Sequence, residues 1–111
     1  MDAYHYYSRG MELLDSGDYR ESAMALEQAK RLEPDKGSIR EALARAYLSA
    51  RSYGAAERES RALVEGAPTN HYGHFLLGRA LERLGRRTDA RRHYRLARCL
   101  GSTLVPAEGT G

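Results

Sequence analysis

Two histidines, His71 and His74, stand one helical turn apart, the separation at which a helix can offer two imidazoles to one metal ion. A protein metal site needs at least a third ligand. None stands near, and Cys99, the single cysteine, is a full helix away, so no metal site is expected. His93 is expected at a helix surface. Cys99 beside Arg98 is read as incidental. No Ser/His/Asp order, no metal-ligand spacing and no phosphate-cradling glycine loop is present. The chain is therefore expected not to be an enzyme and to need no cofactor.

What is left is binding chemistry. Arg87, Arg91, Arg95 and Arg98 recur at helical spacing along one stripe. Such a stripe can neutralise phosphates and give salt-dependent nucleic-acid binding. Only Tyr94 interleaves it, however, and the apolar pattern needs Tyr94 inside. The stripe is better explained as the solvated outer face of a terminal unit, where long Arg stems shield the layer beneath. Nucleic-acid association through the last helix is the alternative; a third option is an acidic partner, including the acidic start of another copy. Residues 1–36 carry 5 Lys/Arg against 8 Asp/Glu and residues 71–111 carry 8 against 3, within an overall net charge of +3. Sixteen of the 18 cations are Arg, a bias that coding composition alone can produce. Among the early aromatics, Tyr6 is expected in the core, with Tyr4 and Tyr7 left for contact.

The elements that must position these residues follow from a repeat. Shifting the sequence by 34 residues brings Gly78 onto Ala44 and Gly10, Leu77 onto Leu43, Leu81 onto Tyr47 and Leu13, Ala90 onto Ala56 and Ser22, and Pro68 onto Pro34. A fixed period of this length is the signature of a helical repeat array. The apolar spacing predicts six helices in three pairs. The first runs from about Ala3 to Ser16 with Asp2 as N-cap, and Gly17 ends it. Asp18 with Glu21, and Ser38 with Glu41, have capping-box spacing and open the second and third helices. The second carries Ala25, Leu26, Ala29 and Leu32 inward and stops before Pro34. Ser52 caps the fourth, which holds Ala55, Ala56, Ala62 and Leu63 inward and frays at Gly66; Thr69 or Asn70 caps the fifth; the sixth covers about Arg87 to Leu100. Gly10, Ala44 and Gly78, and from the other side Ser22, Ala56 and Ala90, are expected where paired helices cross closely, since a larger side chain would push them apart.

Length and composition agree. At 111 residues with 41% apolar and 30% charged residues, there is room for one domain that buries helix faces. No apolar run approaches the roughly 20 residues of a membrane helix. The start, MDAYHYYSRG, lacks the layout of a signal peptide, and one cysteine excludes an intrachain disulfide framework. The chain is read as cytoplasmic.

The repeat resembles the tetratricopeptide repeat (TPR) family, whose pattern is W-x2-L-G-x2-Y…A-x3-F…P. The third repeat supplies His74, Leu77, Gly78, Leu81, Ala90 and Tyr94, with Ser102 where proline would stand. The second supplies Arg40, Leu43, Ala44, Tyr47, Ala56, Ser60 and Pro68; the first Tyr6, Arg9, Gly10, Leu13, Ser22, Leu26 and Pro34. Arg9 replaces an expected apolar residue, Ser60 an expected aromatic, and Arg51 stands where the other repeats have the turn glycines Gly17 and Gly85. The resemblance implies an all-α, right-handed solenoid of three repeats, about 3–36, 37–70 and 71–102, in a single domain over 1–102 followed by a disordered tail, 103–111.

It also implies a concave groove, lined by the first helix of each pair, that binds a peptide, a helix or an acidic surface of another protein. The groove would present Tyr4, Tyr7, Met11 and Leu14 from the first repeat and Glu41, Arg45 and Leu48 from the second. The third would add Tyr72, Phe75, Leu76, Arg79, Glu82 and Arg83. Aromatic, Met and Arg side chains are the types that interface hot spots favour. One TPR subfamily grips the acidic C-terminal tail of chaperones with a carboxylate clamp of Lys, Asn, Asn, Lys and Arg. The matching positions here are Tyr7, Met11, Ala42, Tyr72 and Leu76, which cannot hold a carboxylate by charge. TPR arrays commonly end in an extra helix, and here only GSTLVPAEGTG follows. Either Leu104 and Val105 fold back as a cover, or the last repeat meets another subunit.

Overall fold

The computed structural model describes residues 1–105 as six helices, with no strand among them. They are α1 (Ala3–Asp15), α2 (Tyr19–Leu32), α3 (Gly37–Ser49), α4 (Tyr53–Gly66), α5 (His71–Arg83) and α6 (Arg87–Cys99). Each falls within a residue or two of its expected bounds. Consecutive helices pack as antiparallel neighbours joined by short turns. In addition the α1 backbone approaches α3 and the α3 backbone approaches α5, whereas the backbones of α2, α4 and α6 stay apart. The first helices of the pairs therefore line the inner side of the curve.

The core runs continuously within and between the pairs. Leu14, Ala23, Leu26, Ala29, Ile39, Leu43 and Ala46 form one cluster across α1, α2 and α3. Ala44, Leu63 and Leu76 join α3, α4 and α5; Val64, Leu77, Leu81, Ala90 and Tyr94 join α4, α5 and α6. No pair closes its own core, as expected for a stacked array. The third helix was expected to bury Leu43, Ala46 and Tyr47; Ile39, which precedes Leu43 and Ala46 at i+4 and i+7, is buried as well, and Tyr47 is half-buried. Leu32, expected inward, is exposed at the final position of α2.

The close crossings are where the repeat placed them. A Cβ at Gly10 would stand 2.5 Å from Leu26 Cγ, and one at Gly78 would stand 2.6 Å from the Tyr94 ring. In the second pair the same register holds Ala44 and Ser60, both fully buried: the added methyl is matched by a smaller opposing side chain.

Two of the expected side-chain caps form. Asp2 accepts from the His5 N–H at 2.9 Å, and Asn70 from the Gly73 N–H at 3.1 Å. The others do not. Asp18 and Ser52 occupy N-cap positions with ψ of 68° and 71°, and neither side chain makes a capping bond. At that ψ the side chain does not reach the first-turn N–H groups as it does from the ψ of 175° at Asp2. Asp18 instead accepts from the Ser16 hydroxyl at 3.0 Å. Ser38 cannot cap, because α3 already begins at Gly37 behind Lys36. At the turns inside the pairs, Gly17 and Gly85 have φ of +84° and +82°, and Arg51 takes the same left-handed conformation at +61°. The turn geometry is thus kept without glycine, at a cost of about 1 kcal/mol.

Past α6, Val105 packs against the α4–α5–α6 cluster while Leu104 is exposed. The rest of the expected disordered tail, 106–111, lies outside the described residues. No helix among the described residues is long and apolar enough to cross a membrane.

Candidate functional site

Three helices meet at a concave pocket of about 280 Å³ on the inner side of the array. α3 contributes Arg45, Leu48 and Ser49, and α5 contributes Tyr72, Phe75, Leu76, Arg79 and Arg83. Tyr53, the first residue of α4, closes one wall. Their placement follows from helical period. Arg45 and Ser49 lie one turn apart on α3, and Phe75, Arg79 and Arg83 recur at i+4 along α5, so each set shares one face. Tyr72 and Phe75 stack with centroids 6.0 Å apart and planes at 16°, and Phe75 leans on Tyr94 behind it at 6.2 Å. Leu76 is buried in the floor.

Seven of the thirteen residues expected in the groove are therefore brought together: Arg45, Leu48, Tyr72, Phe75, Leu76, Arg79 and Arg83. Glu41 lies beside them. Burial pushes its carboxyl up, against the pull of Arg45, and burial pushes the Tyr72 phenol up, with Arg45 opposing and Glu41 adding. Tyr7 and Met11 are half-buried against the first cluster, away from the pocket, and Tyr4 is 75% exposed. Leu14 is a correction: it is a buried member of the first cluster, not a groove side chain. Glu82 is exposed and accepts a hydrogen bond from the Tyr94 hydroxyl at 2.9 Å. Ser49 and Tyr53 were missed. For Tyr53 a signal existed, since Tyr19 precedes it by one period at the start of α2.

Arg87, Arg91, Arg95 and Arg98 are all exposed on α6. By the 34-residue register they stand where α4 has Tyr53, Glu57, Arg61 and Val64, the stretch that faces the following pair. The stripe thus occupies on α6 the register that on α4 faces the following pair.

His93 is the other correction: it is buried, not at the surface. Its Nδ1 lies 3.1 Å from Nδ1 of His74, whose Nε2 lies 2.8 Å from the Pro68 carbonyl oxygen. A carbonyl only accepts, so neutral His74 carries its proton on Nε2, and His93 Nδ1–H donates to His74 Nδ1. Both His74 nitrogens are engaged, and no group of three or more His, Cys, Asp or Glu among the described residues could hold a metal ion.

Burial, then the neighbouring His74, Arg92 and Arg61, hold the His93 imidazole down at about 4, against the weaker pull of Asp89. The folded protein thus binds fewer protons than the unfolded chain below pH 6.5. The stabilisation is complete above about 6.5 and is lost as pH falls toward about 4. Urea unfolding is expected to show roughly 2 kcal/mol less stability at pH 5 than at pH 7 from this group. That difference should shrink in His93→Gln; an equal difference in the variant would assign the acid sensitivity elsewhere.

The tetratricopeptide repeat family model matches residues 7–71 and again 41–102. The chain belongs to the tetratricopeptide repeat family. Among solved structures, the first TPR of Spaghetti (RPAP3) bound to HSP90 peptide SRMEEVD is similar with a TM-score of 0.85 at 18% identity, covering 90% of this chain and 79% of that one. The second TPR of the same protein, bound to the same peptide, gives 0.84 at 18% identity, with 90% and 93% covered. MamA MSR-1 C2 gives 0.83 at 25% identity, with 91% of this chain and 58% of that one covered. Among curated proteins none matches the sequence. The TPR likeness agrees with the all-α solenoid of tetratricopeptide repeats expected from the sequence.

Proposed function

We propose that this TPR chain is a protein-interaction module that holds a peptide or helix of a partner protein in its concave groove, acting as a single domain over 1–102 in the cytoplasm. The observation that carries this reading is the pocket at α3, α4 and α5, where three aromatic rings and three guanidinium groups converge on an apolar floor. Such side chains supply large contact area and bidentate hydrogen bonding, the usual source of interface energy. That two similar structures hold an HSP90 peptide supports peptide capture by this kind of groove. It does not carry their clamp over, because Tyr7, Met11, Ala42, Tyr72 and Leu76 stand at the clamp positions here.

A photo-crosslinking amino acid in place of Tyr72 or of Arg91 separates the groove from the arginine stripe. Crosslinks to partner proteins from position 72 and none from 91 are expected. Crosslinks to nucleic acid or protein from position 91 alone would overturn the groove reading. The same experiment reads out self-association through the last repeat, as a crosslinked dimer of the chain from position 91.

A further inference from the structure

We infer that the pocket at α3, α4 and α5 is a specificity subsite for an acidic peptide, taking one large apolar side chain on its floor with flanking carboxylates on Arg45, Arg79 and Arg83. This inference rests on the groove reading above and names the chemistry of its ligand.

Size sets the anchor. A volume of about 280 Å³ lies below the roughly 300–1,000 Å³ of pockets that enclose a whole organic ligand, and suits one or two side chains. Leu48, Leu76 and Phe75 offer such a side chain apolar surface, and Tyr53 and Tyr72 present rings with a polar tip.

Charge sets what surrounds the anchor. Three arginines line the pocket and no acidic residue does. Four arginines elsewhere stand in salt bridges: Arg9 with Glu12, Arg40 with Glu59, and Arg61 and Arg86 with Glu57. No salt bridge among the described residues engages Arg45, Arg79 or Arg83. Glu41 lies beside Arg45 and offsets its charge in part. Arg79 and Arg83 stand one turn apart on α5, so carboxylates on either side of an anchor residue can each meet a guanidinium. A nucleic-acid strand fits less well. Tyr72 and Phe75 already stack on each other, so neither ring offers a base a free platform on that face.

The test is selection of a random dodecapeptide phage library on the full chain, followed by fluorescence anisotropy with labelled synthetic copies of the selected peptides. The expected peptides carry one Leu, Phe, Tyr or Trp with at least two Asp or Glu close by. The double variant Arg79→Glu, Arg83→Glu should weaken them roughly tenfold or more. The neutral pair Arg79→Gln, Arg83→Gln should weaken them less but in the same direction, with helical circular dichroism unchanged in both. Glu41→Gln, which removes a like charge, should tighten them severalfold.

Selected peptides that are basic, or that lose binding in Tyr7→Ala but not in the arginine variants, overturn the subsite while leaving the groove reading intact. A labelled single-stranded oligonucleotide that displaces the peptides and needs Arg79 and Arg83 overturns it in favour of nucleic acid. Failure to select any peptide overturns both this inference and the groove reading.

Discussion

Replacing Lys30 and Arg40 together by Met is expected to cost the fold roughly 3–5 kcal/mol, measured by urea unfolding. The reason lies at Glu59, which is 4% exposed on α4. Its Oε2 accepts from Lys30 Nζ at 2.8 Å and its Oε1 from Arg40 Nη1 at 3.2 Å. Lys30 also approaches Glu27 at 3.4 Å, and Glu27 accepts from the Tyr47 hydroxyl at 2.7 Å. That phenol is pushed well above its usual range, by burial first and then by the bond to Glu27. The network crosses from α2 in the first pair to α3 and α4 in the second. Either cation alone keeps Glu59 partnered, so each single variant should cost about 1–2 kcal/mol. Removing both leaves a buried carboxylate with no cation, and the double loss should exceed the sum of the singles. Adding Glu59→Met should then recover much of it, since an apolar side chain leaves no stranded charge. A double variant no worse than additive would show that Glu59 finds water or another partner when the cations go.

How such a network escapes a single-sequence reading is instructive, because the register that found the fold also contained it. Ala25, placed inward by apolar spacing, falls on Glu59 and then on His93. Tyr6, placed in the core, falls on Arg40 and then on His74. The position pair that holds Tyr and Ala in the first repeat holds an Arg–Glu ion pair in the second and a bonded pair of imidazoles in the third. Residue type alone argued for surface at Glu59 and His93; register argued for burial, and register was right. The caps failed for a different reason. Asp18 and Ser38 have the right spacing to their glutamates, but whether a cap forms depends on the ψ of one residue and on where the helix begins, neither of which spacing fixes. In the groove, the period along α5 was enough to place Tyr72, Phe75, Arg79 and Arg83 together. It could not show that Leu14 would be covered by α2 and α3, or that Tyr53 would reach in from α4. Those depend on how far each crossing opens.

The opening of the last crossing is what Gly78→Ala probes, with an expected loss of about 2–3 kcal/mol. On a bare helix the same change would stabilise by about 1 kcal/mol. Here the new Cβ would come within 2.6 Å of a Tyr94 ring carbon, and the ring has little freedom to retreat. Its hydroxyl is tied to Glu82, and its body sits in the cluster with Leu77, Leu81 and Ala90. Ser60 shows the alternative solution opposite Ala44, so Gly78→Ala combined with Tyr94→Ser should cost less than the sum of the two single changes. Gly10→Ala meets Leu26 Cγ at 2.5 Å and should destabilise comparably. The two glycines are expected to differ in binding. Tyr94 supports Phe75 from behind, and Phe75 lines the pocket, so a displaced Tyr94 ring shifts the pocket floor as well as the core. Leu26 belongs to the first cluster, remote from the pocket. Peptide affinity measured on fully folded protein should therefore fall in Gly78→Ala and hold in Gly10→Ala. Equal affinities would mean that the third pair absorbs the methyl without moving Phe75.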